Sequence, residues 1–268
     1  MNGATFRLAV RQALPGALVT ALGLGVFFWV IMVSSSGFAG EPGNLPPFLL
    51  RPPRAVRALV GGSFDFTAPQ GWLSTGVFHP VVLSLQTLGA FLVATGSGVT
   101  ELDRGTLDLV LARPVSRRSY LLARAAAALV VLTIVEAGGL IGALVSRQTV
   151  SGAATLPIED IALVFAGSWV LFAAFAMAAL AIFAIAHLRG RALGVAIGMV
   201  VATFFFNFLS LLFEAFEWIR FFSPFHYYGA REMLSGGPWV GGTVVLGAIA
   251  VASLGIAIVG FERRDLTR

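Results

Sequence analysis

The sequence predicts an all-α membrane protein: six transmembrane helices, an N-terminal amphipathic helix in the membrane interface, and short extracellular helices between spans five and six. Two observations carry this expectation. Of 268 residues, 57% are hydrophobic and only 12% charged, where a soluble domain carries about 25% charge, and the mean hydropathy is +0.89. The charges also gather in intervals between apolar runs of about 20 residues, the length that crosses a bilayer. One transmembrane domain over residues 1–268 is expected.

The elements follow in order. Phe6, Val10, Ala13 and Leu14 share one helical face with Arg7 and Arg11 beside it, which suits an interfacial helix with snorkelling arginines. Pro15 and Gly16 then mark a bend into the first span, 14–33. A cleaved signal peptide is the competing reading, but the apolar run is too long for one. Residues 35–76 form a polar interval rich in Ser, Gly and Pro, expected outside, with a short helix near 54–60. The second span, 77–99, carries Pro80 in its first turn, where proline is tolerated. The third, 120–144, contains Arg124, expected to snorkel to the cytoplasmic layer, and Glu136, which is too deep to do so. Glu136 is either a substrate-path or counter-ion residue or a protonated group bonded to a neighbouring helix. Gly138 and Gly142, and Gly194 and Gly198, have the GxxxG spacing that lets helices approach closely. The fourth and fifth spans are 161–186 and 192–213. Aromatics from Asn207 to Tyr228, mixed with Glu214, Glu217 and Arg220, suit helices at the outer interface. The sixth span is 240–260. Glu136 and Asn207 are the candidate residues of a translocation path.

What is missing narrows the chemistry. All 18 basic residues are arginine, so the chain lacks the lysine of a nucleotide-binding phosphate loop and of a pyridoxal Schiff base. It has no cysteine, and His79, His187 and His226 are scattered without metal-ligand spacing. No cofactor is expected in this chain. The net charge of +5 fits basic cytoplasmic loops, and no soluble basic domain exists to bind nucleic acid. With both termini inside, 12 arginines fall inside and six (51, 54, 57, 147, 220 and 231) fall outside, the bias expected of a multi-pass protein with cytoplasmic termini.

Between the second and third spans lies a densely charged hairpin, 101–117. Gly105 permits a sharp turn, Thr106 can cap a helix, and Asp108 sits favourably in its first turn. Leu107, Val110, Leu111 and Pro114 recur at i, i+3, i+4 and i+7, and Pro114 stops the helix. Arg113, Arg117 and Arg118 crowd its exit. The element can dock a soluble partner, lie on lipid, or simply be a solvated loop.

This hairpin resembles the first cytoplasmic loop of ABC-2 type ABC transporter permeases. Their acidic-x-acidic-x-Gly-Thr-Leu pattern, apolar run and Pro-Val-Ser-Arg close are filled here by Glu101, Asp103, Gly105, Thr106, Leu107, Leu109, Leu111, Pro114, Val115, Ser116 and Arg117. The tail from Phe261 to Asp265 is similar to the Phe-x-Arg-Arg-Asp end of many such permeases, while Arg7 and Arg11 stand where many begin with a Lys-Glu pair. The resemblance implies a permease subunit in a prokaryotic cell (inner) membrane, most naturally an exporter of a hydrophobic or amphipathic substrate. It implies two copies of a separate cytoplasmic ABC ATPase that binds ATP and Mg, and a second permease, identical or homologous. Glu101, Asp103, Gly105, Thr106, Leu107, Leu111, Arg113, Pro114 and Arg117 would be the ATPase-coupling residues, with 107–113 the coupling helix. An ATP-independent secondary transporter or channel is the alternative, and it calls for ionisable residues in several spans. An intramembrane enzyme would need a Ser/His, paired-Asp or metal constellation, and the spans hold no Asp.

Overall fold

The computed structural model describes residues 3–36, 52–61, 68–93, 116–149, 156–186 and 189–263. Among them there are helices and turns but no strand. In order these are α1 (Gly3–Ser36), α2 (Arg54–Leu59), α3 (Pro69–Val77), α4 (Pro80–Phe91), α5 (Arg117–Thr149), α6 (Ile158–Ile185) and α7 (Arg189–Leu212). Two 3-10 segments (Glu214–Phe222 and Pro224–Tyr227), α8 (Ala230–Ser235) and α9 (Val240–Glu262) complete the described chain. Five helices are long and apolar enough to cross a membrane: α1, α5, α6, α7 from Ala192, and α9. Helix α4 has 12 residues, which rise only about 18 Å, and residues 94–99 of the expected span 77–99 lie outside the described residues.

The first correction is at the N-terminus. In place of a separate helix ahead of the first span, α1 is one helix of 34 residues with Pro15 inside it. Proline removes one N–H from the ladder, yet Ala9, Ala13, Ala17, Ala21, Leu24, Phe28 and Met32 continue a single buried stripe across it. Packing along that stripe carries the helix through the proline. A second correction falls in the interval read as polar to residue 76, because Gly71–Val77 of α3 are all buried. Trp72, Leu73 and Val77 supply apolar bulk there, and Gly76 lets the helix sit close to α1, since a β-carbon on it would stand 3.2 Å from Phe28.

Helices α1 and α5 run parallel and approach through glycine. A β-carbon on Gly138 would collide with the Ala21 carbonyl, and one on Gly142 with the Gly25 carbonyl. The Gly138/Gly142 spacing is therefore used as a backbone-to-backbone seam, which bulkier side chains cannot form. A β-carbon on Gly194 or Gly198 would meet nothing within 4 Å among the described residues. Trp29 Nε1 donates to Thr149 Oγ1 at 3.1 Å at one end of the α1–α5 pair. At the other end Arg117 Nη1 donates to the Glu262 carbonyl at 3.1 Å, and Tyr120 stacks on Phe261 at 5.8 Å. The start of α5 and the end of α9 thus share one face of the bundle.

Candidate functional site

Three helices converge on Glu136. Helix α4 begins at Pro80, its N-cap His79 accepting from the Val81 N–H through Nδ1 at 3.3 Å. Further along α4, Gln86, Gly89, Ala90 and Phe91 are buried. Gly89 lets α4 come close to α5, because a β-carbon there would lie 2.9 Å from Val135. That approach brings the amide of Gln86, about one turn earlier on α4, to Glu136.

Gln86 Nε2 donates to Glu136 Oε1 and Oε2 at 3.0 and 3.1 Å and to Ser168 Oγ at 2.6 Å. Ser168 Oγ in turn donates to Glu136 Oε1 at 3.2 Å. One amide proton is shared by the carboxyl oxygens and the other meets the serine, so α4, α5 and α6 are tied at one point. Gln86 and Ser168 are at most 1% exposed and Glu136 is 4% exposed. The Gln86 Oε1 atom has no hydrogen-bond partner among the described residues. One turn along, Trp169 Nε1 donates to Thr133 Oγ1 at 3.0 Å, a second tie between α5 and α6. No arginine among the described residues forms an ion pair with Glu136, so neutral hydrogen-bonding groups hold it.

Tyr228 caps this cluster from the side of the 3-10 segments, its hydroxyl donating to the Val164 carbonyl at 3.0 Å. Burial pushes the Tyr228 hydroxyl well above its ordinary range, the charge of Glu136 adds to this, and a hydrogen bond with Ser168 opposes it. Asn207 is not part of the cluster. It lies near the end of α7 and lines a separate cavity of about 430 Å³ with Tyr228 and Glu232. An apolar groove of about 490 Å³ runs between α4 and α7, lined by Leu83, Leu88, Phe91, Ile197, Val200 and Phe204 among others, with only Ser84 and Thr87 carrying hydroxyls.

Arg124 departs from expectation. Helix α5 starts at Arg117, so Arg124 stands two turns inside rather than one, and only 1% of it is exposed. Its guanidinium lies over the rings of Tyr120 and Phe183 at 5.7 and 5.8 Å and donates to the Val93 carbonyl. Aromatic faces and a carbonyl replace water around the charge, so the side chain stays in the protein instead of snorkelling. Of the coupling residues, Glu101, Asp103, Gly105, Thr106, Leu107, Leu111, Arg113 and Pro114 lie outside the described residues. Arg117 is described, at the first position of α5 and against the last turn of α9.

Sequence comparison decides the family. The model of the ABC-2 family transporter protein matches residues 14–266, nearly the whole chain. The chain belongs to the ABC-2 transporter family. No curated protein matches it. As an ABC-2 permease it is a multi-pass transport subunit of the membrane, and membership implies association with an ABC ATPase. Within this ABC-2 chain Gln86, Ser168 and Tyr228 give the sequence little to read, because none carries a charge at neutral pH. Gln86 does leave a signal, as the lone carboxamide between residues 77 and 99.

Proposed function

We propose that this chain is the membrane subunit of an ABC exporter for a hydrophobic or amphipathic substrate. It spans a prokaryotic inner membrane six times with both termini inside, and residues 77–99 supply the second crossing. It pairs with an identical or homologous permease and with two copies of a cytoplasmic ATPase that binds ATP and Mg. Residues 107–113 form the coupling helix, which carries the closure of the ATPase to the start of α5. The single observation behind this reading is the family match over 14–266, which takes in the charged hairpin and overlaps every membrane-length helix. The apolar groove between α4 and α7 supports an apolar substrate, since a cavity with almost no polar lining gains affinity mainly by removing apolar surface from water.

The decisive experiment places a charge on the coupling face. Leu111→Asp strands a carboxylate in a desolvated contact, a loss of about 2–5 kcal/mol in such interfaces, equivalent to at least a tenfold weaker ATPase complex. Co-purification of the ATPase and substrate-stimulated turnover in lipid nanodiscs should both fall, with the spans still inserted. Unchanged binding and turnover would remove the coupling role.

Topology has its own check. Single cysteines at Ser63 and Ser116, in a chain without native cysteine, should be labelled by an impermeant thiol reagent differently on intact cells. Position 63 is expected to react at once and position 116 only after permeabilisation, and the reverse order would invert the protein in the membrane.

A further inference from the structure

We propose that the cavity beyond the end of α7 is a binding site for a small organic cation, with Glu232 as its counter-charge and aromatic rings as its walls. It lies at the end of the bundle remote from Arg117 and Glu262. Its volume of about 430 Å³ falls within the range of about 300–1,000 Å³ usual for small-molecule sites. Phe78, Asn207, Tyr227, Tyr228, Glu232 and Trp239 supply the groups that matter.

Charge comes first. Glu232 is half-buried, and glycines stand close on either side: a β-carbon on Gly229 would lie 3.0 Å from its Oε2, and one on Gly237 3.2 Å from its Cβ. Among the described residues Glu232 has no ion-pair partner. Arg220, the nearby cation, is held by Glu217 at 2.8 Å, and Arg231 is exposed. His226 also lines the cavity. Burial and then the charge of Arg220 lower its pKa below the usual histidine range, and Glu232 opposes the shift. At neutral pH His226 is therefore uncharged, and the wall presents one carboxylate with no cation of its own.

The aromatic groups fix the class of ligand. Tyr227 donates its hydroxyl to the Phe221 carbonyl at 3.0 Å and Tyr228 donates to the Val164 carbonyl at 3.0 Å, so neither hydroxyl proton is left for a ligand. Phe78 packs on Tyr228 with centroids 5.5 Å apart, and Trp239 lines the same cavity. A carboxylate among ring faces suits an alkylammonium group, whose charge is diffuse and weakly hydrated. A hard metal ion demands several oxygen ligands, and among the described residues no group of three His, Cys, Asp or Glu is placed to hold one. Asn207, 7% exposed, also lines the cavity, and its carboxamide can meet a hydroxyl or ammonium group of a ligand there.

The site does not depend on the transport reading, because binding is measured on the full chain in lipid nanodiscs without ATP. The probe is radiolabelled choline, displaced by unlabelled choline or by its uncharged carbon isostere, dimethylbutanol, with empty nanodiscs as background. Choline should bind at least tenfold more tightly than the isostere. Glu232→Gln should remove that preference, and Asn207→Asp, which adds a second negative charge, should tighten choline binding. Acidification should weaken binding as His226 takes up a proton beside the ligand. Equal binding of choline and its isostere, or choline binding unchanged by both substitutions, would overturn the proposal.

Discussion

Leucine at position 142 is expected to unseat α1 from α5. A β-carbon there already runs into the Gly25 carbonyl, and backbone cannot rotate aside as a side chain can. Overpacking a core costs about 1–3 kcal/mol even where side chains can adjust, so Gly142→Leu should reach or exceed the top of that range. Gly198→Leu is the matched control, because a β-carbon there would meet nothing within 4 Å among the described residues. Thermal unfolding in detergent, followed by size-exclusion chromatography, should show a large loss for Gly142→Leu and a change within about 0.5 kcal/mol for Gly198→Leu. Similar losses for both would mean that the two GxxxG segments are used alike and that the α1–α5 seam is misassigned.

The second large effect is at the three-helix tie. Gln86→Leu takes from Glu136 the amide that bonds both of its carboxyl oxygens and leaves only Ser168. Stranding a buried polar group costs about 1–3 kcal/mol, more for a charged one. Changing both partners to leucine removes the group that would be stranded, so the double variant should recover much of the loss. A double-mutant cycle read by unfolding in nanodiscs measures the coupling directly, with an expected value of at least about 1 kcal/mol. Additive single effects would show that Gln86 and Glu136 do not act as a pair.

The inward direction of Glu136 is legible in the sequence, because facing lipid would leave its carboxyl group without a partner. Its partners are not. Gln86 and Ser168 are neutral and cost little to insert, so neither interrupts the hydropathy that defines a span. The same silence hides α3, whose buried Gly71–Val77 stretch mixes Trp72, Leu73 and Val77 with glycine, serine and threonine and so shows no apolar period. Four of the spans are readable to within a few residues at most ends, since α5, α6, α7 and α9 coincide with long apolar runs. Pro15 suggests a break because proline interrupts helices locally, yet the helix continues across it along a buried alanine stripe. Arg124 suggests snorkelling by its distance from the end of the apolar run, whereas Tyr120, Phe183 and the Val93 carbonyl offer a nearer environment. Of the two path residues the sequence points to, Glu136 belongs to the three-helix cluster and Asn207 to the cavity beyond α7, and Tyr228 stands between the two.

The glycine seam also makes the molecule mechanically uneven. Side chains between two helices act as a cushion that can tilt and slide, whereas carbonyl oxygens seated against glycine leave no such slack. The α1–α5 pair is in this sense a stiff beam, pinned at one tip by Trp29 and Thr149 and tethered at the root of α5 to α9 by Arg117. Across the apolar groove α4 and α7 scarcely touch, and compliance concentrates there. A displacement applied at the root of α5 is therefore expected to be carried along the beam, with the groove between α4 and α7 as the place to yield.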